Sequence, residues 1–255
     1  MDTRRLILFV IFSFSIMMLW DAWQQKNAPI AQNEQEALIT NQDIPASTSA
    51  KVTTGSSNAV DQGTFKLEYG QRIKVTTDLF QAEIDLNGGD LRRLVLNKHA
   101  AADVKEGHFV LMDDSAKPML YIAQSGLIGG DLPNHKSTFT SSSMTYNLSE
   151  GENSKEVRLA WSGVNGVNVD KVYTFKRGSY VIDVSYQINN ASSKTITPSA
   201  YYQIVHDSES NQGSMMMPTF TGGAYFTDAD KFKKIAFSDM AKDPLSKTTK
   251  DGWVG

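Results

Sequence analysis

The chain has no cysteine. That excludes disulfides, thiolate metal ligands, a cysteine nucleophile and a lipid anchor carried on cysteine. A thiol-free chain also suits an oxidising compartment. It has little excess of charge of either sign, with 25 Lys and Arg against 28 Asp and Glu and a net charge of -3. A nucleic-acid binder usually carries a basic patch or stripe, so no nucleic-acid partner is expected, and the same balance argues against a polybasic membrane-surface module. Helical periodicity is nearly absent beyond the N-terminus, and no repeat of fixed period is present. Hydrophobic residues make up 40% of the chain, so as a whole it is neither membranous nor disordered, and the informative signals are local.

The first signal is the run Leu6 to Trp20, LILFVIFSFSIMMLW, without charge, glycine or proline. Fifteen helical residues span roughly 22 Å, and extension to Trp23 brings the length to about 27 Å, close to a hydrocarbon core of roughly 30 Å. Arg4 and Arg5 precede the run and Asp21 follows it. The positive-inside rule then keeps the N-terminus cytoplasmic and exports the remainder, with Trp20 and Trp23 at the outer interface. A cleaved signal needs small residues at positions -3 and -1 of the cut. A cut after Ala22 would put Trp20 at -3 and one after Ala28 would put Lys26 there, so residues 1–23 read as an uncleaved transmembrane signal anchor.

Residues 24–64 are rich in Gln, Asn, Ser, Thr and Ala, with Pro29 and Pro45 and almost no aromatics. Such a segment cannot bury enough apolar surface to offset its ordering entropy, and it reads as a disordered polar linker. From Phe65 to Gly255 the pattern is β. Ala82, Ile84 and Leu86 alternate, Asn87-Gly88-Gly89-Asp90 turns, and Leu91 to Leu96 returns. Val167, Val169, Tyr173 and Phe175 share one face before the Arg177-Gly178 turn. Tyr180, Ile182, Val184, Tyr186 and Ile188 then alternate with polar residues, the period-two mark of an antiparallel sheet with one wet face. Further strands are predicted at His108–Met112, Met119–Ala123, Met144–Leu148, Glu156–Trp161 and Thr195–Val205. Short turns between them predict a sandwich long enough for one substantial core. Gly252-Trp253-Val254 reads as a strand just begun, so the chain reads as a truncated piece of a longer domain.

The search for chemistry assigns no catalytic, cofactor-binding or metal-ligating residue. His99, His108, His135 and His206 show no ligand spacing. Asp228-x-Asp230 lacks the later ligands of a calcium loop and reads as a solvated turn. Gly126, Gly129 and Gly130 precede neither Lys-Ser nor Lys-Thr and open no helix. No G-x-S-x-G elbow occurs. Asp113 and Asp114 are adjacent, so on a strand they point to opposite faces. The sequons at Asn147 and Asn190 read as coincidence. Lys231, Lys233 and Lys234, interleaved with Phe232, Ile235 and Phe237, read as a wet face over a core or as a contact surface for a partner or lipid headgroups. Met215-Met216-Met217-Pro218 reads as loop filling or as an adaptable groove lining. The region from Met215 to Phe237 is the expected interaction surface.

The ordered set of motifs resembles a family. Met1-Asp2 with Arg4 and Arg5, Trp20, Trp23 and the polar tether resemble the start of Gram-negative proteins of the YidC/Oxa/Alb membrane insertase family. Asn87-Gly88-Gly89-Asp90, Ala123-Gln124-Ser125-Gly126-Leu127, Tyr173 to Tyr180, Phe220 to Tyr225 and Gly252-Trp253-Val254 are similar to motifs of its periplasmic domain, in order. The resemblance runs from Met1 to Val254. It implies a mostly β fold, an antiparallel, mutarotase-like β-supersandwich preceded by one N-terminal transmembrane helix. It implies a bacterial inner-membrane insertase and chaperone that works alone or with the Sec translocon and its accessory complex. Nascent membrane proteins would be handled by five further helices forming a hydrophilic groove with a charged arginine, an intramembrane charge of the costly, functional kind. Those helices and the end of the domain are absent from this sequence, so no groove residue is carried over, and no cofactor or enzymatic activity is implied. The rival readings are a periplasmic carbohydrate-binding or mutarotase-like β-sandwich tethered to the membrane, and a membrane-tethered adaptor.

Overall fold

The computed structural model describes residues 67–101, 107–115, 120–129, 131–207, 220–243 and 245–255. The expected anchor, the expected linker and Met215–Pro218 lie outside the described residues. Among the described residues no helix is long and apolar enough to cross a membrane.

The described chain is mostly strand. It runs β1 (Arg72–Thr76), β2 (Phe80–Asp85), β3 (Asp90–Ala100), β4 (His108–Met112), β5 (Tyr121–Ile128), β6 (Thr145–Asn147), β7 (Ser154–Ser162), β8 (Val167–Lys176), β9 (Ile182–Asn190), β10 (Ser199–His206), β11 (Gly222–Thr227), β12 (Lys231–Ala236), α1 (Phe237–Lys242) and β13 (Gly252–Val254). The largest sheet has the order β10-β5-β3-β2-β1-β6, with β4 also beside β3. Its pairings are antiparallel except β1 with β6. A meander β7-β8-β9 forms a second sheet and β12-β11-β13 a third.

The first two sheets share a core. Ile73, Val75, Phe80, Ala82, Ile84, Leu91 and Leu94 from the large sheet pack with Val157, Leu159, Tyr173 and Phe175 from the meander, around Phe139. Phe80 meets Phe175 edge-on with ring centroids 5.8 Å apart, a favoured aromatic geometry. The predicted alternation therefore places its residues as expected, with Val167, Val169, Tyr173 and Phe175 all buried. One detail differs: β9 begins at Ile182, and Tyr180 and Val181 lie before it, 47% and 61% exposed. The turn itself falls at Arg177-Gly178 as expected, with φ of 71° at Gly178. Strand β1, missed in the sequence, is a run of only five residues, RIKVT, with two apolar side chains, too short for its alternation to stand out.

A β-bulge interrupts the pairing of β2 with β3. Glu83 pairs with Arg93 and Ile84 with Leu91, so Arg92 is the extra residue of β3. Such a residue turns its side chain out of the regular alternation, and Arg92 is buried beside its neighbour Leu91.

Candidate functional site

Two places in the described residues concentrate polar chemistry. The first is interior. The turn at Asn87-Gly88-Gly89-Asp90 needs glycine twice, with φ of 79° at Gly88 and 58° at Gly89. A Cβ on Gly88 would stand 2.4 Å from the His135 carbonyl oxygen. This tight turn aims its carbonyls at the meander. Lys171 Nζ donates to Gly88 O at 3.0 Å and to Ser125 O at 3.1 Å, and the Tyr173 hydroxyl donates to Gly89 O at 2.6 Å. Asp90 accepts from Gln124 Nε2 at 2.7 Å and lies 3.2 Å from Arg92 Nη2. Gln203 Nε2 donates to Gln124 Oε1 at 2.9 Å, and the Tyr186 hydroxyl donates to Ser125 Oγ at 2.8 Å.

Burial governs the electrostatics of this cluster. Asp90 and Lys171 are both 0% exposed. Desolvation pushes the Asp90 carboxyl up to about 6, against the pull of Lys171 and Arg92. It pushes the Lys171 ammonium down to about 8, against the pull of Asp90. Burial also raises the Tyr173 and Tyr186 hydroxyls. Perturbed groups of this kind mark functional sites when they line a cleft. Here Asp90, Arg92, Lys171 and Tyr173 are all buried, and Lys171 and Tyr173 spend their donors on backbone carbonyls. The arrangement clamps the β2–β3 turn and β5 onto the meander.

An ion-pair chain extends outward from the same turn. Arg72 Nε donates to Asp85 Oδ2 at 2.9 Å and Arg72 Nη2 to Asp114 Oδ2 at 2.6 Å. Asp85 also accepts from the backbone N–H groups of Gly70 and Asn87. The neighbouring Asp113 instead serves Arg93 at 2.8 Å, so the adjacent aspartates answer to different arginines. The histidines are spread over separate contacts. His99 faces Tyr180, His135 bonds the Tyr201 hydroxyl, His206 lies between Tyr121 and Phe237, and His108 opens β4. Among the described residues no group of three His, Asp or Glu is placed to hold a metal. Asp230 accepts from Thr227 and pairs with Lys247 at 3.2 Å across the β11–β12 turn.

The second place is the small sheet. Register pairs Phe226 with Phe232 on one side and with Trp253 on the other, and Ala224 with Lys234. These residues therefore share a face. Phe232 and Trp253 rings are 5.9 Å apart. Lys234 Nζ lies 5.0 Å from the Phe220 ring and Lys231 Nζ 5.9 Å from the Phe226 ring. The opposite face carries Gly223, where an added Cβ would meet Met240 Cε of α1 at 2.4 Å. Met240 of α1 covers the Gly223 end of that face, while Lys233 farther along it is exposed, and the aromatic face is half exposed, with Phe220 at 47%, Phe232 at 51% and Trp253 at 53%. The expected surface residues Phe220, Tyr225, Lys231, Phe232, Lys233, Lys234, Ile235 and Phe237 thus lie in one sheet and its flanking segments. The pattern divides them: Tyr225 and Lys233 pair on the Gly223 face.

Comparison with known proteins now decides the family. The family model described as the YidC periplasmic domain matches residues 72–255. The chain belongs to the YidC periplasmic domain family. A relative from Methylobacillus flagellatus, named membrane protein insertase YidC, is 55% identical over 260 residues, covering 100% of this chain and 47% of the relative. Relatives of the same name from Nitrosospira multiformis and Aromatoleum aromaticum are 38% and 43% identical, again over 100% of this chain and 48% and 47% of their own length. The chain spans about half the length of the curated relatives it matches. The YidC periplasmic domain match opens on Arg72, the first residue of β1, so all three sheets fall inside it.

Two features of this YidC-type domain were not read from the sequence. Lys171 occupies the odd position between Val169 and Tyr173, on the face named as core, and its placement was the available signal. Trp253 was read only as the start of a strand, although it completes the aromatic face.

Proposed function

We propose that the chain supplies the membrane anchor and the periplasmic interaction domain of a bacterial inner-membrane protein insertase. In this reading residues 1–23 span the membrane with Met1 in the cytoplasm, residues 24–64 form a polar tether, and residues 65–255 form a periplasmic domain of β-supersandwich architecture. Insertion of nascent membrane proteins belongs to helices of the other half of the protein, alone or with the Sec translocon and its accessory complex. The domain itself binds and scaffolds and performs no catalysis. The observation that carries the reading is the YidC periplasmic domain match over residues 72–255. The insertase name of relatives up to 55% identical supports it. The sealed Asp90–Lys171 cluster supports a scaffolding role, because its perturbed groups face each other and not a cleft.

The test uses the complete protein that contains this chain. A ribosome-held membrane protein bearing a photo-crosslinker in its first apolar segment is expected to crosslink to it during synthesis. Absence of crosslinks, with insertion unchanged on depletion of the protein, would remove the insertase reading. Sugar-epimerase or hydrolase turnover by the chain would remove the non-catalytic reading.

A further inference from the structure

We infer that residues 68–71 act as a latch: seated on the buried Asp85 and Arg92 they fix where the chain enters the domain, and released they lengthen the tether that precedes it. The tether itself rests on the function proposed above. The pairing of β1 with β2 extends to a backbone bond from Leu86 N–H to Gln71 O at 2.9 Å. Before that point side chains of the domain take over. Both oxygens of the Asp85 carboxylate accept from Gly70 N–H, at 2.9 and 3.0 Å. Arg92 Nη2 donates to Glu68 O at 3.3 Å. The Tyr69 ring lies 5.8 Å from the Arg72 guanidinium, and its hydroxyl donates to Asp114 O at 3.4 Å. The two residues that form the seat, Asp85 and Arg92, are 0% and 2% exposed.

Three observations set this segment apart from a plain continuation of β1. A buried carboxylate must be hydrogen-bonded, and its bond to a backbone N–H is of the strong, charge-assisted kind. Asp85 serves Arg72, Asn87 and the incoming Gly70 together. The seat also admits only glycine. A Cβ at position 70 would stand 2.6 Å from Asp85 Oδ1 and 3.0 Å from the Asn87 nitrogen, an approach that only a residue without a side chain allows. The third observation is the β3 bulge. It turns Arg92 inward, where the guanidinium meets both Glu68 O and, at 3.2 Å, Asp90. The latch therefore adjoins the Asp90–Lys171 cluster. None of residues 68–71 belongs to either apolar core cluster. A segment held by few apolar contacts opens locally, at less than the cost of global unfolding. Release adds four residues to the tether, about 13 Å at full extension.

Amide hydrogen exchange, resolved by residue in the full chain in detergent micelles, reads the latch whether or not residues 1–23 cross a bilayer. In the wild type the Gly70 amide is expected to exchange at least about tenfold more slowly than an unstructured glycine. It is also expected to exchange at least about tenfold faster than the amides of β8, the central strand of the meander, and to ignore low urea, as a local opening does. Gly70→Ala is expected to speed exchange at Leu86, whose N–H serves Gln71 O, about tenfold. Cleavage after Glu68 by a glutamyl endopeptidase is expected to rise with it, while the β8 amides keep their wild-type rates. Gly63→Ala, the same substitution in the proposed tether, is expected to change neither. A wild-type Gly70 amide that exchanges like an unstructured glycine would mean there is no seat. One that exchanges only together with β8 would mean there is no separate release. Either result overturns the inference, as does unchanged Leu86 exchange in a folded Gly70→Ala chain. The wild-type comparison decides the matter even where Gly70→Ala fails to fold.

Discussion

Lys171 and Asp90 are ionisable groups held where water does not reach. Their energetics are set by burial against a few fixed partners. The Asp90 carboxyl titrates at about 6, up from 3.8. A group whose proton affinity is raised by folding contributes stability below its ordinary range and loses it as pH rises through the folded value. Lys171 is lowered from 10.5 to about 8, so its contribution is present at high pH and is lost as pH falls through that value. Between about pH 6 and about pH 8 both charges are held in the core at the greatest cost. In urea unfolding, Asp90→Asn is expected to gain on the wild type by about 2–3 kcal/mol between about pH 4 and about pH 7. A difference that does not change with pH would contradict the assignment. Lys171→Ala leaves the Gly88 and Ser125 carbonyls without their donor and opens a cavity, and is expected to cost about 3–5 kcal/mol by the same assay. Alternation placed Lys171 on the core face, but its role was not legible in the sequence. Lysine is almost never fully buried unless paired, and only the close approach of the Gly88-Gly89 turn and β5 supplies its carbonyl partners.

At the scale of elements, the meander was the most legible part because each strand pairs with its neighbour in sequence. Alternation assigned the buried face of β8, and the glycine at position 178 placed the turn. Phe175 is fully buried against Phe80 and Tyr173. Phe175→Ala is expected to cost about 3–5 kcal/mol in chemical denaturation, and a loss under about 1 kcal/mol would show that the two sheets do not depend on this contact. The large sheet was less legible. Its β10-β5 and β1-β6 pairings join strands distant in sequence, and no local pattern announces such pairings. The β3 bulge was equally hidden, because an inward Arg92 breaks the alternation that defines a strand on paper. The small sheet was legible as a mixed surface of lysines and aromatics. Its division into a partly covered and an aromatic face was not, because that depends on where α1 lies.

For the whole molecule, composition contributed as much as pattern. The contrast between residues 24–64 and the alternating sequence beyond them motivates the proposed boundary near residue 65. Limited proteolysis of the chain is expected to cut first within residues 24–64 and to spare Val167 to Asn189, with mass spectrometry of the early fragments as the readout. Early cuts inside the meander, with the proposed tether intact, would place the boundary elsewhere. The central claim is that this chain holds a periplasmic domain outside the inner membrane by one N-terminal span. A reporter enzyme active only in the periplasm, fused after Gly63 in living cells, tests it most directly. The account predicts full reporter activity there, lost when Arg4→Glu/Arg5→Glu is combined with basic residues inserted after Trp23. A silent periplasmic reporter, with a cytoplasmic reporter active at the same fusion point, would contradict it.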